Sequence, residues 1–138
     1  MPKAIVIHKT GGADVLTWED FDPGKPGVGE VIVRHEAVGL NYIDVYHRSG
    51  LYPISLFPAV PGLEGAGKIE EIGEGVTVLK KGDRVAYAGA PLGAYCEMRR
   101  IPAERLVKLP ESISSHMAAA MMLQGMTAEY LLFRTHKV

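Results

Sequence analysis

The sequence predicts a mainly β fold with helices (α+β), built from antiparallel strands in a barrel or sandwich and ending in a helical segment. Two observations carry this. Short β-rich runs punctuated by Gly, Pro and Asp fill about the first hundred residues, and a single strongly helical stretch follows them. No internal repeat or low-complexity tract interrupts the pattern.

Taken in order, "KAIVIHK" (3–9) alternates apolar and polar residues, and "VLTWEDF" (15–21) follows the Gly11-Gly12 turn. A Pro/Gly-rich connection, "DPGKPGVGE", leads into "GEVIVRHEAVGL" (29–40). "GAGKIEEIGEG" (65–75), "DRVAYAG" (83–89), "GAYCEMRRI" (93–101) and "ERLVKLP" (104–110) read as further strands. Between them, "NYIDVYHRSG" (41–50) lacks β alternation and ends in Ser49-Gly50, which predicts a short helix stopped by glycine. The tail "SISSHMAAAMMLQGMTAEYLLFRTHKV" opens on serine, is alanine-rich and carries basic residues near its end, as helices do. Met117, Met121, Met122 and Met126 recur along it and are expected to be core filler.

The totals exclude several function classes. The 138 residues suit one domain with its own core. A net charge of −1 gives no electrostatic case for nucleic acid or an anionic membrane. No apolar run approaches the ~20 residues needed to cross a bilayer, and the N-terminus lacks a signal-peptide core. Cys96 is the single cysteine, so neither an internal disulfide nor a multi-cysteine zinc site is available, and a reducing, cytoplasmic compartment is expected. The chain stops at Val138 without a glycine cap or polar tail, from which a longer parent protein is expected.

Candidate chemistry narrows similarly. His8, His35, His47, His116 and His136 are scattered, and "HEAVG" (35–39) lacks the second histidine of the zinc-protease HExxH, so no metal site is expected. As a strand residue, His35 shares a face with Val31, Val33 and Ala37 and is expected in the core or at its edge. "GLEGAG" (62–67) has glycine spacing reversed from the dinucleotide fingerprint and runs into a strand, where a phosphate cradle needs a helix. The glycines instead suit tight backbone geometry beside one acid, Glu64. "GLNYIDVYHRSGLYP" (39–53) gathers Asn41, Tyr42, Asp44, Tyr46, His47, Arg48 and Tyr52. Neutral amides and phenols could orient a carbonyl there; a short helix with half-buried tyrosine rings accounts for the same residues.

Together "HKTGGADVL", "VGLNYIDVYHRSGLYP", "PGLEGAGKIEEIGEGV", "KKGDRVAY", "GAYCEM" and "LQGMTAEYLL" resemble, in order and spacing, the medium-chain dehydrogenase/reductase superfamily. Within it they are most similar to the zinc-free NADPH-dependent quinone oxidoreductases (zeta-crystallin-like). The resemblance implies a GroES-like, partly open β-barrel over residues 1–113 as the catalytic domain. Residues 114–138 would be a helical segment leading to an NADPH-binding Rossmann domain that this chain does not contain. It implies no zinc. Asn41, Leu63 and Gln124 stand where zinc-dependent relatives keep cysteine, histidine and cysteine, and neither leucine nor an amide replaces those ligands.

The resemblance further implies catalytic roles for Tyr46, Tyr52 and Asn41, and cofactor contacts from Asn41, Asp44 and Thr127. Asp44 would hold its own segment. Glu64 would be supporting or structural, paired with an arginine of the absent part. The implied whole enzyme is a homodimer through that part, reducing a quinone with NADPH; the chain alone would be inactive, with exposed apolar surface on its tail helix. Reduction of the conjugated C=C of an alkenal or enone is the alternative activity, and a non-catalytic GroES-like binding or assembly module the alternative class.

Overall fold

The computed structural model describes residues 1–136. The last two positions of the expected helical segment, Lys137 among its basic residues, lie outside them.

Two antiparallel sheets form the body. Strands β1 (Lys3–Val6) and β2 (Thr17–Asp20) pair as a two-stranded ribbon. The larger sheet has the order β6-β3-β4-β5-β7, with β3 spanning Glu30–Gly39, β4 Glu64–Ile72, β5 Arg84–Ala88, β6 Met98–Pro102 and β7 Val107–Lys108. Strands β6 and β7 are its two edges, so the sheet is open rather than a closed barrel. Backbone bridges Ala4–Cys96 and Ile7–Ala59 tie the ribbon to the rest.

The helices sit where the sequence places them. Helix α1 (Tyr42–Ser49) ends at Gly50, whose φ of 88° is the left-handed conformation that glycine adopts without strain. Helix α2 (Ser115–Glu129) starts at Ser114, whose hydroxyl accepts the Met117 N–H, and runs on into a π-helical turn over Tyr130–Thr135. Its register on the sheet is set by small side chains. Ala118 and Ala119 are buried against Ala66 of β4 and Ala86 of β5, which lets the helix approach the strands closely. The main apolar core lies on the other side of the sheet, with Val31, Val33, Ile69, Val85, Tyr87 and Ile101 at its centre.

Three expectations are corrected. The methionines are not core filler: Met117, Met121 and Met126 are 54%, 45% and 54% exposed, because the alanine face takes the buried side, and of the four only Met122 packs against the alanine cluster. The strand expected over 93–101 is regular only from Met98. Residues 93–96 hydrogen-bond instead to the carbonyls of Pro61, Gly62 and Ala94, wrapping around Arg99, whose Nη2 donates to the carbonyls of Pro91 and Leu92. The strand expected over 104–110 shrinks to two residues, since Ala103–Arg105 forms a 3₁₀ turn.

Candidate functional site

The stretch "PGLEGAG" (61–67) is buried along its whole length. Strand β4 lies between β3 and β5, with α2 over one face. Ala66 faces that helix, whereas the space a Cβ would take is filled by Tyr95 at Gly62, by Tyr87 and His35 at Gly65 and by the Arg34 backbone at Gly67, which is why the run around Glu64 is so rich in glycine. At Gly39 of β3 a Cβ would run into both the Glu64 carboxylate and the Ala119 carbonyl of α2, so three segments converge on this acid.

Glu64 is 1% exposed, and both its oxygens have donors inside this chain. Oε2 accepts from Asn41 Nδ2 at 2.7 Å and Oε1 from the Leu123 backbone N–H at 2.8 Å. The partner expected for it, an arginine from elsewhere, is therefore not needed. A buried carboxylate without donors costs several kcal/mol, and two donors offset that. Leu123 also accepts, through its carbonyl, the Thr127 hydroxyl at 2.7 Å. Asn41 and Thr127, 86 residues apart in sequence, are joined through Glu64 and the backbone of one residue, Leu123.

Beside this network opens a cleft of about 310 Å³, lined by Gly39, Leu40, Glu64, His116, Ala119 and Gln124. Gln124 thus faces the same cleft as Glu64, whereas Leu63 is buried as an ordinary apolar side chain at 6% exposure. Asn41 begins α1 from an extended conformation and forms a capping box with Asp44. The Asp44 Oδ2 accepts the Asn41 N–H at 2.9 Å and the Tyr95 hydroxyl at 2.8 Å. Burial first, and then this bond to Asp44, push the Tyr95 phenol well above its ordinary range, so it remains a donor. Asp44, at 4% exposure, is committed to holding α1 in place.

Tyr46 and Tyr52 are brought together at the far end of α1 as an edge-to-face pair, and the Tyr52 ring also meets the His47 ring edge-on at 5.9 Å. Both tyrosines are partly exposed. Thr127 is exposed on α2. A second buried group lies behind Glu64. His35 Nε2 accepts from the Tyr87 hydroxyl at 2.7 Å, and Nδ1 donates to the Cys96 carbonyl at 2.6 Å, a carbonyl being unable to donate. The Tyr87 hydroxyl and the His35 ring crowd the space a Cβ would take at Gly65. Burial lowers His35 to about 4 and raises Tyr87 to about 12, so the pair is neutral near pH 7. Burial likewise raises Cys96 to about 12, which makes it an inert thiol.

Sequence reasoning missed how Glu64 links Asn41 to α2. The available signal was an acid embedded in a run of glycines and apolar residues, a position that buries it and obliges it to find donors. Among the described residues, no three His, Cys, Asp or Glu side chains gather as metal ligands would.

The donor set suits a carboxamide such as that of nicotinamide. Asn41 has a second Nδ2 hydrogen beyond the one given to Glu64, and the Thr127 oxygen, its hydrogen spent on Leu123, accepts.

Residues 27–138 match the model of the alcohol dehydrogenase GroES-like domain. Across all of its 138 residues the chain is 50% identical to a quinone oxidoreductase of Pseudomonas aeruginosa, covering 42% of that protein. It is 46% identical to a 2-haloacrylate reductase of a Burkholderia species, again over its whole length and 43% of the relative's. The crystal structure of Escherichia coli quinone oxidoreductase complexed with NADPH superimposes with a TM-score of 0.96 at 43% identity, over 99% of this chain and 42% of that one. The chain thus spans about two-fifths of the length of the curated relatives it matches.

Proposed function

Because this chain belongs to the alcohol dehydrogenase GroES-like domain family, we propose that it is the substrate-side, catalytic part of a zinc-independent, NADPH-dependent quinone reductase. Bound NADPH would supply the hydride. The polar contacts at the reacting end are the work of this chain's residues. Asn41 and Thr127 hold the carboxamide end of the nicotinamide against the cleft. Tyr46 and Tyr52 line the quinone side, and a tyrosine hydroxyl or a water donates a hydrogen bond to the oxygen that gains charge. Asp44 acts through α1, keeping Asn41 at its head and Tyr46 further along it. Residues 114–138 form the helical connection to the nucleotide-binding part, and the whole enzyme is a cytoplasmic homodimer assembled through that part, with no membrane or nucleic-acid partner.

The observation that carries this reading is the Asn41–Glu64–Leu123–Thr127 network, which ties two polar groups from opposite ends of the chain to an acid that lines the cleft. Zinc independence is supported by the donor set. The amide of Asn41 is engaged with Glu64, Leu63 is buried and donates nothing, and Gln124 is a neutral amide. A quinone suits such a site, since its reduction yields an aromatic hydroquinone and needs less polarisation than an isolated carbonyl.

The test is the reading frame containing this chain, expressed whole and assayed for NADPH oxidation with 1,4-benzoquinone. Turnover without bound zinc is the expected result; a need for about one zinc per chain would end the zinc-free reading. A second activity, reduction of a C=C bond conjugated to a carbonyl, is supported by the comparable identity to the protein named 2-haloacrylate reductase. Paired quinone and enone substrates separate the two.

A further inference from the structure

Glu64 does more than fill a buried position. A carboxylate, when ionised, only accepts hydrogen bonds, and so does a backbone carbonyl. These two facts decide the direction of every bond in the network. Because Glu64 Oε2 is the neighbour of the Asn41 amide at 2.7 Å, that amide must turn its Nδ2, not its oxygen, toward the acid. The Asn41 oxygen then turns to the capping box with Asp44, whose N–H donates to the Asn41 backbone carbonyl at 3.0 Å. What is left on the Asn41 side chain is one N–H.

At the other end, the Leu123 N–H is tied to Glu64 Oε1 and the Leu123 carbonyl takes the Thr127 hydrogen. The Thr127 oxygen is left with lone pairs alone. Asparagine and threonine are individually ambivalent, each able to donate or accept. In this fold the Glu64 carboxylate removes the ambiguity at Asn41, and the Leu123 carbonyl removes it at Thr127.

We propose that Glu64 is a positioning residue that sets the hydrogen-bond polarity of Asn41 beside the cleft, presenting it as a donor, while the Leu123 carbonyl leaves Thr127 as an acceptor. The matching ligand group carries a carbonyl oxygen and an N–H on one carbon, a primary carboxamide, held in one of its two flip orientations. Only the naming of that ligand rests on the proposed NADPH-dependent function; the polarity itself follows from this chain's own bonds. Gly39 is part of the device, since any Cβ there would displace the acid.

The variant Glu64→Gln tests this. Glutamine keeps the shape but has one acceptor and one donor end. The Leu123 N–H cannot reverse, so it keeps the acceptor, and Asn41 faces a donor and must flip. In nitrogen-15 spectra of the 138-residue chain, the two Nδ2 protons of Asn41 should be widely split in the wild type, one bonded to buried carboxylate and one free. In Glu64→Gln the splitting should collapse toward that of an exposed asparagine while the Leu123 amide stays downfield.

Should Glu64→Gln not fold, the double variant Glu64→Gln/Asn41→Asp restores a complementary pair with the direction reversed. Recovery of its thermal midpoint toward wild type supports the assignment, and its failure to exceed Glu64→Gln counts against it. An unsplit Asn41 pair in the wild type, or a pair unchanged in Glu64→Gln, overturns the proposal. Titration of the whole reading frame's product with NADPH separates it from the functional reading, since the proposed nucleotide-binding part lies outside this chain. A shift of the free Asn41 proton supports both, whereas a collapsed pair in Glu64→Gln with no NADPH response in the wild type leaves the polarity assignment standing and counts against the cofactor.

Discussion

Tyr46 and Tyr52 meet edge to face, with ring centroids 5.4 Å apart and ring planes at 65°. Tyr46 lies in α1 and Tyr52 just past the Gly50 stop, and the Tyr52 N–H donates to the Tyr46 carbonyl at 3.1 Å. The turn thus doubles the chain back so that two phenols share one partly exposed face. Edge-to-face pairs of this kind contribute about 0.5–1.5 kcal/mol, and the contact needs the rings rather than the hydroxyls. Tyr46→Phe and Tyr52→Phe should therefore change the stability by no more than about 0.5 kcal/mol. In the whole enzyme, the substitution that removes the donor should lower quinone turnover by about 10²-fold. Unchanged kinetics in both variants would take the tyrosines out of the mechanism.

His35 makes stability depend on pH in a defined window. Its pKa is about 4 in the folded chain, lowered chiefly by burial, against about 6.5 when unfolded. The unfolded chain therefore binds the extra proton first. Stability is full above pH 6.5 and is lost as the pH falls from about 6.5 to 4, by at most about 3 kcal/mol. The carboxylates held below their ordinary range by partners, such as Glu36 by Ser115 and Lys68, give up their contribution only at lower pH. Urea midpoints of wild type and His35→Gln between pH 4 and 7 check this. The variant's profile should be flatter in that window, and equal slopes would refute the assignment.

How much of this was legible beforehand follows from which interactions are local. Strand β3 and helix α1 were readable to within a residue or two because alternation and a glycine stop are written into neighbouring positions. The loop over 93–96 was not. Its hydrogen bonds go to residues 61 and 62 as well as to its own turn, and it closes around Arg99, so no local pattern announces it. The methionines misled for a related reason. A helix buries the face that fits its partner, and the strands opposite α2 offer alanine and glycine, so the alanines go in. Asn41, Tyr46 and Tyr52 stood out by residue type, and of these Asn41 is bonded to Glu64. Glu64's partners could not be read at all, because they come from residues 41 and 123.

Two glycines should answer alanine substitution with opposite signs. Gly39→Ala places a methyl against the Glu64 carboxylate and the Ala119 backbone, neither of which can yield cheaply. It should destabilise the chain by about 1–3 kcal/mol. Gly125 lies within α2 with open space where a Cβ would go. Gly125→Ala should stabilise by about 0.5–1 kcal/mol through helix propensity. Chemical denaturation of both variants decides it, and a neutral Gly39→Ala would mean that α2 is not held as closely to β3 as described.

The outer face of α2 and the turn after it carry apolar side chains in the open. Met126 and Tyr130 are 54% and 55% exposed, Leu131 and Leu132 52% and 51%, and Phe133 74%. A contiguous apolar surface of this kind is covered in a stable protein or drives association. Phe133 and Leu131 are the best handles, since no residue of the turn is buried and their replacement leaves no cavity in the core. The chain should self-associate with rising concentration, and Leu131→Ser/Phe133→Ser should shift its sedimentation toward monomer while leaving the thermal midpoint nearly unchanged. Were the wild-type chain monomeric up to millimolar concentration, the exposed face would not be an adhesive one, and the expected association through it would be wrong.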